Sequence, residues 1–339
     1  MPRLVFLAAS GEDFVDALRR AWDRGDVVVP IDPRLPPWSV RDLLERFGTA
    51  PIEPGDALVV ATSGSTGEPK GVVLTHDAVR WAADATNAAV AVDPASDTWL
   101  VQLPLAHVGG LGVVTRALLS GTPMTFDPDD AFATLTSAVP TQLERTDHSR
   151  FRAVLVGGSA DWRRDRGANV VRTYGLTESY GGVVYDGTPL PGVDVRVVDG
   201  EVQLRCGSLL RCYADGTVPL LDGWLLTGDD GEWDGERLTV HGRRGDVIVT
   251  GGEKVWPEAV ERVLRGVDGI AEVAVVGRSD DEWGHVVTAI VVPSGDPPTL
   301  DELRDAVSAS LPRWCAPRRL ELRDTLPTTA LGKVRRSLL

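Results

Sequence analysis

Apolar residues along the chain fall into two patterns: short β-branched runs, and stretches where they recur every three or four positions. The first predicts buried strands and the second amphipathic helices. Residues 3–50 read as strand, helix, strand, helix, with strands at Leu4 to Leu7 and Asp26 to Ile31 and helices at Asp13 to Trp22 and Ser39 to Phe47. A proline-stiffened loop spans Pro30 to Pro37. After an apolar run from Ala57, Thr75 is placed to cap a helix reaching about Ala89. Trp99 to Leu103 and Pro123 to Phe126 read as strands, and Phe132 to Ser137 as a helix, with another helix opening at Val139. Buried-type strands from Ala153 and Val170 end in small or polar turns at Gly157-Gly158-Ser159-Ala160 and Tyr174-Gly175-Leu176-Thr177-Glu178. Strands that end this way suggest ligand contact at the carboxyl ends of a parallel sheet.

From Val193 to Leu238 the period changes. Short runs (Val193 to Val198, Glu201 to Arg205, Trp224 to Gly228, Arg237 to Val240) alternate with Asp-Gly and Gly-Ser turns, which predicts a small antiparallel barrel or sheet. His241 to Asp246 is a charged, glycine-punctuated link and marks a domain boundary. Beyond it comes a compact α+β unit. Its strands are Val247 to Thr250, Ala271 to Val276 and Val286 to Val292. Its helices are one entered through Pro257 and running to Leu264 and one opened by the capping box Thr299 to Glu302. The whole reads as α/β: a large unit at 1–242, a link at 243–246 and a smaller unit at 247–339.

Composition narrows the function. A net charge of −14 argues against nucleic acid and anionic membrane as default partners, so an anionic ligand must be held by local basic groups. The apolar fraction of 43% is ample for a core. Cys206, Cys212 and Cys315 make neither a metal-ligand spacing nor an even framework, and read as reduced thiols of a cytoplasmic protein. No run approaches a membrane span, and the apolar start is too short for a signal-peptide core. An oligomer is compatible with the sequence but not legible in it.

The chemistry centres on Thr62-Ser63-Gly64-Ser65-Thr66-Gly67-Glu68-Pro69-Lys70-Gly71, a hydroxyl- and glycine-rich loop between two extended runs. Glycines permit positive φ and close backbone approach, and converging N–H groups and hydroxyls bind anions. The spacing is not Walker A, which needs a helix directly after Gly-Lys-Ser/Thr. A solvated turn is the plain alternative. Lysine is scarce, however: Lys70, Lys254 and Lys333 are the only three among 35 basic residues, and all sit in or beside glycine turns. Farther on, Pro104-Leu105-Ala106-His107-Val108-Gly109-Gly110-Leu111-Gly112 opens a helix with one thinned face, on which a flat ligand could lie close to the backbone. His107 stands at its mouth. Arg116 is the only Lys, Arg, Asp or Glu between Asp97 and Asp127, and a snorkelling surface arginine is its plain reading. Asp229, at a strand end, is of the kind that accepts both ribose hydroxyls, and an Asx-turn is the alternative.

Six motifs in order resemble the adenylate-forming superfamily of acyl-CoA synthetases and adenylation domains: Thr62 to Gly71, Tyr174 to Glu178, Thr227-Gly228-Asp229, Gly242-Arg243-Arg244-Gly245-Asp246, Gly251-Gly252-Glu253-Lys254 and Pro327 to Lys333. Only 61 residues precede the first. That shortening, with Pro104 to His107, Arg116 and Val139 to Leu143, looks like the compact o-succinylbenzoyl-CoA synthetase branch. The resemblance implies a large adenylation domain and a mobile C-terminal domain. It implies a reaction of a small carboxylate with ATP, Mg²⁺ and coenzyme A through an acyl-adenylate, in menaquinone biosynthesis. It implies that Thr62, Ser63, Gly64, Ser65, Thr66, Gly67 and Lys70 cradle phosphates. Glu178 would bind the metal, with Thr177 against the α-phosphate. Gly158, Ser159, Ala160, Tyr174 and Gly175 would surround adenine, and Asp229 with Arg243 would hold ribose. His107, Gly109, Gly110 and Arg116 would line the acyl site, Gly251, Gly252 and Lys254 would face coenzyme A, and Lys333 would bridge carboxylate and α-phosphate. Gly245 replaces the charged hinge residue usual in the superfamily. The same chemistry on another aromatic or short acid, transfer to a carrier protein, and a non-catalytic binding fold are the alternatives.

Overall fold

The computed structural model describes residues 1–63, 69–145, 147–158, 167–327 and 334–339. Gly64, Ser65, Thr66, Gly67, Ser159, Ala160 and Lys333 lie outside the described residues.

Four sheets carry the chain. The first begins with parallel strands Leu4–Leu7, Val27–Pro30 and Asp56–Ser63, the middle one buried at every position. Asp56–Ser63 then pairs antiparallel with Pro69–Thr75, and Cys212–Tyr213 closes the edge. The segments flanking the glycine-rich loop are therefore antiparallel neighbouring strands, and the one that follows it is not a helix. Thr75 caps the next helix, His76–Ala89, by accepting the Ala78 N–H at 3.1 Å.

The second sheet is the seven-stranded one. Leu135–Ala138, Ala153–Val156 and Val170–Leu176 run parallel at its centre, and Gly181–Tyr185 returns antiparallel. Here one sequence expectation fails. The segment from Phe132 contains a strand, Leu135–Ala138, all four residues buried, where helical spacing predicted a helix. Pairing on both flanks decides this short segment, because tertiary context overrides weak local propensity. The strand at Trp99 is also shorter than expected, ending at Leu100. The glycine-rich helix is Val108–Ser120.

A third sheet joins Asp194–Val198, Glu201–Arg205, Trp224–Trp233, Leu220–Leu221 and Leu238–Arg243 by antiparallel pairs. A fourth contains Glu253–Val255, Ile248–Thr250, Gly284–Pro293, Ile270–Asp280 and Arg319–Leu322. Helices Pro257–Leu264 and Leu300–Ser308 cover it, the latter with both halves of its capping box formed. Lys254 lies on a strand of this sheet, whereas the turn proper is Gly251 and Gly252. The largest apolar core draws on residues from Phe14 to Leu238, and a separate core on Ile248 to Ala316. Among the described residues no helix is long and apolar enough to cross a membrane.

Candidate active site

The hairpin register puts Thr62 opposite Lys70 and Ser63 opposite Pro69, so the two ends of the phosphate-type loop are pinned together. The Lys70 ammonium lies 4.9 Å from the centroid of the Tyr213 ring. The phenol of that tyrosine donates to Oε1 of Glu178 at 2.8 Å. Burial, then the Glu178 charge, push the phenol well above its ordinary value, which keeps it the donor. Glu178 itself sits in the one-turn 3₁₀ helix Thr177–Ser179, after the strand Val170–Leu176.

Asp229 and Arg243 are direct cross-strand partners. The guanidinium Nε meets Oδ1 of Asp229 at 2.8 Å and Nη1 donates to the Thr227 carbonyl at 2.9 Å. The Tyr174 phenol donates to the other carboxylate oxygen at 2.8 Å, and burial with that carboxylate raises it. Tyr174, Asp229 and Arg243 thus form one cluster, built from two sheets. Gly158, two residues past the strand Ala153–Val156, has φ +93, a conformation that favours glycine.

Two sets of glycines serve the chain's own packing. A Cβ at Gly110 would stand 2.3 Å from the Leu103 carbonyl oxygen, and one at Gly109 would stand 2.9 Å from the Leu103 side chain. The thinned helix face expected to receive a flat ligand is, at these two positions, filled by Leu103 and Pro104. A Cβ at Gly175 would stand 1.8 Å from the Gly181 carbonyl oxygen, so that glycine is required by the returning strand. His107 is the N-cap residue of Val108–Ser120 without a side-chain cap bond. Burial lowers its pKa against an opposing pull from Asp32. Asp32 is itself ion-paired to Arg34 at 2.6 Å in the proline-rich loop, a neighbour that the sequence did not point to.

Arg116 is not a surface arginine: it is 8% exposed. Nε donates to the Gly112 carbonyl at 2.8 Å, Nη2 donates to the Ser137 hydroxyl at 3.1 Å, and the guanidinium sits 4.7 Å from the centroid of a Trp99 ring. Among the described residues no carboxylate pairs with it. Burial pulls its pKa down, yet a guanidinium does not deprotonate in proteins. The result is a retained, nearly dry positive charge without a counter-ion among the described residues.

In the smaller unit, Gly252 and Lys254 line an open cleft of about 520 Å³ with Trp256, Pro312 and Trp314. Among the described residues no three His, Cys, Asp or Glu side chains gather into a metal cluster. A lone carboxylate such as Glu178 suits Mg²⁺, which is commonly held by one or two carboxylates plus substrate phosphates.

A family model described as AMP-binding enzyme matches residues 45–208, and one described as AMP-binding enzyme C-terminal domain matches 259–333. A probable 2-succinylbenzoate–CoA ligase of Mycobacterium tuberculosis is 37% identical over 85% of this chain and 85% of its own length. The chain belongs to the AMP-binding enzyme family. The relatives of this AMP-binding enzyme name more than one acid. An indoleacetate–CoA ligase of Aromatoleum aromaticum is 34% identical, covering 99% of this chain and 78% of its own. The o-succinylbenzoate CoA synthetase of Bacillus subtilis, solved with its acyl-adenylate intermediate, superposes with a TM-score of 0.88 at 25% identity, over 99% of this chain and 87% of that one. The adenylate-forming fold read from the six motifs is thereby established.

Proposed function

We propose that this AMP-binding enzyme is an ATP-dependent acid–CoA ligase that converts o-succinylbenzoate to its CoA thioester, a step of menaquinone biosynthesis in the cytoplasm. Arg116 carries the choice of acid. An unpaired buried charge is costly to a fold, and a ligand carboxylate would remove that cost. o-Succinylbenzoate has two carboxylates, and the one that reacts cannot stay paired. Its ring carboxylate is the group left for Arg116, directly or through a water. Indoleacetate has no second carboxylate and would leave the guanidinium unmatched. The three thiols, all free, agree with a reducing compartment.

In the first step a carboxylate oxygen attacks the α-phosphorus of ATP. The bond to the β-phosphate breaks and pyrophosphate departs. In the second, the coenzyme A sulfur attacks the acyl carbon and AMP leaves. The protein's tasks are in-line positioning and charge stabilisation. Lys70 offers a mobile point charge to the phosphates. Asp229, oriented by Arg243 and Tyr174, receives the ribose hydroxyls. Glu178 would hold Mg²⁺, which when bound neutralises phosphate charge. Lys333 is assigned to the carboxylate and α-phosphate during adenylation. Residues 243–246 are proposed as the hinge about which 247–339 turns between steps, bringing Gly251, Gly252 and Lys254 toward coenzyme A. Arg336 pairs with Asp246 at 3.1 Å, Glu258 at 2.9 Å and Glu261 at 2.8 Å, so in this reading the end of the link would turn with the smaller unit.

The test is a panel of acids with ATP and coenzyme A, reading AMP release and thioester mass. o-Succinylbenzoate should give the thioester in preference to indoleacetate and benzoate. Thioester from indoleacetate and none from o-succinylbenzoate would overturn the assignment.

A further inference from the structure

We propose that Tyr213 is a positioning residue that sets Glu178 for metal binding and keeps Lys70 off it. The proposal rests on the reading of Glu178 as the metal-binding carboxylate. Three bonds from one short segment embrace Glu178 and its neighbour. The Leu210 N–H donates to the Glu178 carbonyl at 2.8 Å, the Ser208 hydroxyl donates to the Ser179 carbonyl at 2.9 Å, and the Tyr213 phenol reaches Glu178 Oε1 at 2.8 Å. The same segment is then stitched to the exit of the phosphate loop. Cys212 and Tyr213 pair with Val73 and Val72, and the Ala214 N–H donates to the Gly71 carbonyl at 2.7 Å.

One side chain therefore touches both charges. Its hydroxyl holds one oxygen of Glu178, and its ring face takes the Lys70 ammonium at 4.9 Å, inside the reach of a cation–π contact of about 6 Å. Lys70 and Glu178 make no ion pair with each other. A direct pair would spend the lysine that phosphate needs and block the carboxylate that the metal needs. The aromatic ring, with the charge of Asp215 in the neighbourhood, holds the lysine weakly and leaves it able to move onto a phosphate. The phenol engages Oε1 and narrows the positions open to the carboxylate, which lowers the entropy it loses on binding a metal. Partners of this kind behind a metal-binding group commonly change metal affinity by about 10–100-fold when lost.

The experiment compares wild type, Tyr213→Phe, Tyr213→Leu, Glu178→Gln and the Tyr213→Phe/Glu178→Gln double variant. Mn²⁺, standing in for Mg²⁺, is titrated into each enzyme complexed with a non-hydrolysable ATP analogue and followed by electron paramagnetic resonance. Binding of the analogue without divalent metal is measured by calorimetry. Tyr213→Phe should weaken Mn²⁺ binding roughly tenfold and leave metal-free nucleotide binding unchanged. Tyr213→Leu should also change metal-free binding, by about two- to fivefold, because Lys70 loses its seat. The double variant should bind Mn²⁺ no worse than Glu178→Gln alone. Mn²⁺ binding by Tyr213→Phe within about twofold of wild type, with Glu178→Gln impaired, overturns the role of Tyr213. Additive losses in the double variant do the same. Wild-type Mn²⁺ binding by Glu178→Gln would instead overturn the reading of Glu178.

Discussion

Replacing Arg116 by methionine separates what this residue does for the fold from what it does for the substrate. Methionine keeps much of the length and apolar contact but removes the charge. In the fold the guanidinium has exchanged water for the Gly112 carbonyl, the Ser137 hydroxyl and the Trp99 ring. Hydrogen bonds of a charged group contribute about 1.5–3 kcal/mol each, and a desolvated cation–π contact about 2 kcal/mol. Against these stands a desolvation penalty of several kcal/mol for a buried ion, which no carboxylate among the described residues offsets. The opposing contributions are of similar size, so Arg116→Met should stay within about 2 kcal/mol of wild-type stability in denaturant unfolding. Catalysis should respond differently. Loss of a charge-assisted bond to the ring carboxylate, about 1.5–3 kcal/mol, lowers kcat/KM for o-succinylbenzoate roughly ten- to a hundredfold. The control acid is 4-oxo-4-phenylbutanoate, which keeps the reacting chain and lacks the ring carboxylate. It should be a poor substrate for wild type and nearly indifferent to the substitution. The assay is pyrophosphate release with each acid at saturating ATP, and the KM for ATP should not move. Equal losses on both acids would make Arg116 a packing residue and remove the residue-level support for o-succinylbenzoate.

Three further outcomes follow from the same geometry. Lys333→Ala should nearly abolish acyl-adenylate formation yet spare thioester formation from supplied acyl-adenylate, read as two separate half-reactions; equal loss in both would count against domain rotation. Asp229→Asn exchanges an acceptor pair for one acceptor and one donor beside Arg243 and Tyr174, and should raise the KM for ATP about tenfold, with an unaltered Mg²⁺ requirement in the same titration. For His107, burial sets the folded pKa below the ordinary histidine value of 6.5, so the unfolded chain binds the proton more readily. The stability contributed by the neutral ring is then complete above the unfolded value and is lost as pH falls through it toward the folded one. The denaturation midpoint of wild type should drop on acidification from pH 7 to pH 5 more than that of His107→Gln; parallel curves would refute the buried-imidazole account.

Much of the fold was legible because some local signals were strong. Thr75 capping His76–Ala89, the capping box at Thr299 and Glu302, and proline at the start of Pro257–Leu264 each satisfy a helix end by chemistry written in a few adjacent residues. Leu135–Ala138 was misread for the opposite reason. Four residues hold too little periodicity to decide, and the strands on either side of it come from Trp99–Leu100 and Ala153–Val156, which no local window contains. Glycines were ambiguous in another way. Gly110 and Gly175 mark close approach, but the group that approaches is the chain's own backbone, and sequence does not distinguish that from a ligand. Tyr213 gave no motif at all. It lies on a two-residue edge strand, and its meaning arises only when that edge meets Lys70 and Glu178.

The site also shows how a strongly acidic chain handles anionic substrates. Three of its cations are neutralised to different degrees, and the degree matches the proposed task. Arg243 has a carboxylate partner across the sheet, so its charge is committed to orienting Asp229. Among the described residues Lys70 has an aromatic face and the nearby charge of Asp215 but no ion pair, an environment weak enough to release it to phosphate. Arg116 has a carbonyl, a hydroxyl and a ring, which hold the guanidinium in place without cancelling its charge. A cation already paired would have to break that pair to take a ligand, and the ligand would lose affinity by the same amount. With no anion on Arg116 among the described residues, the empty fold carries a cost that a second substrate carboxylate would relieve. By that asymmetry an acid with two carboxylates would suit a site at Arg116 better than an acid with one.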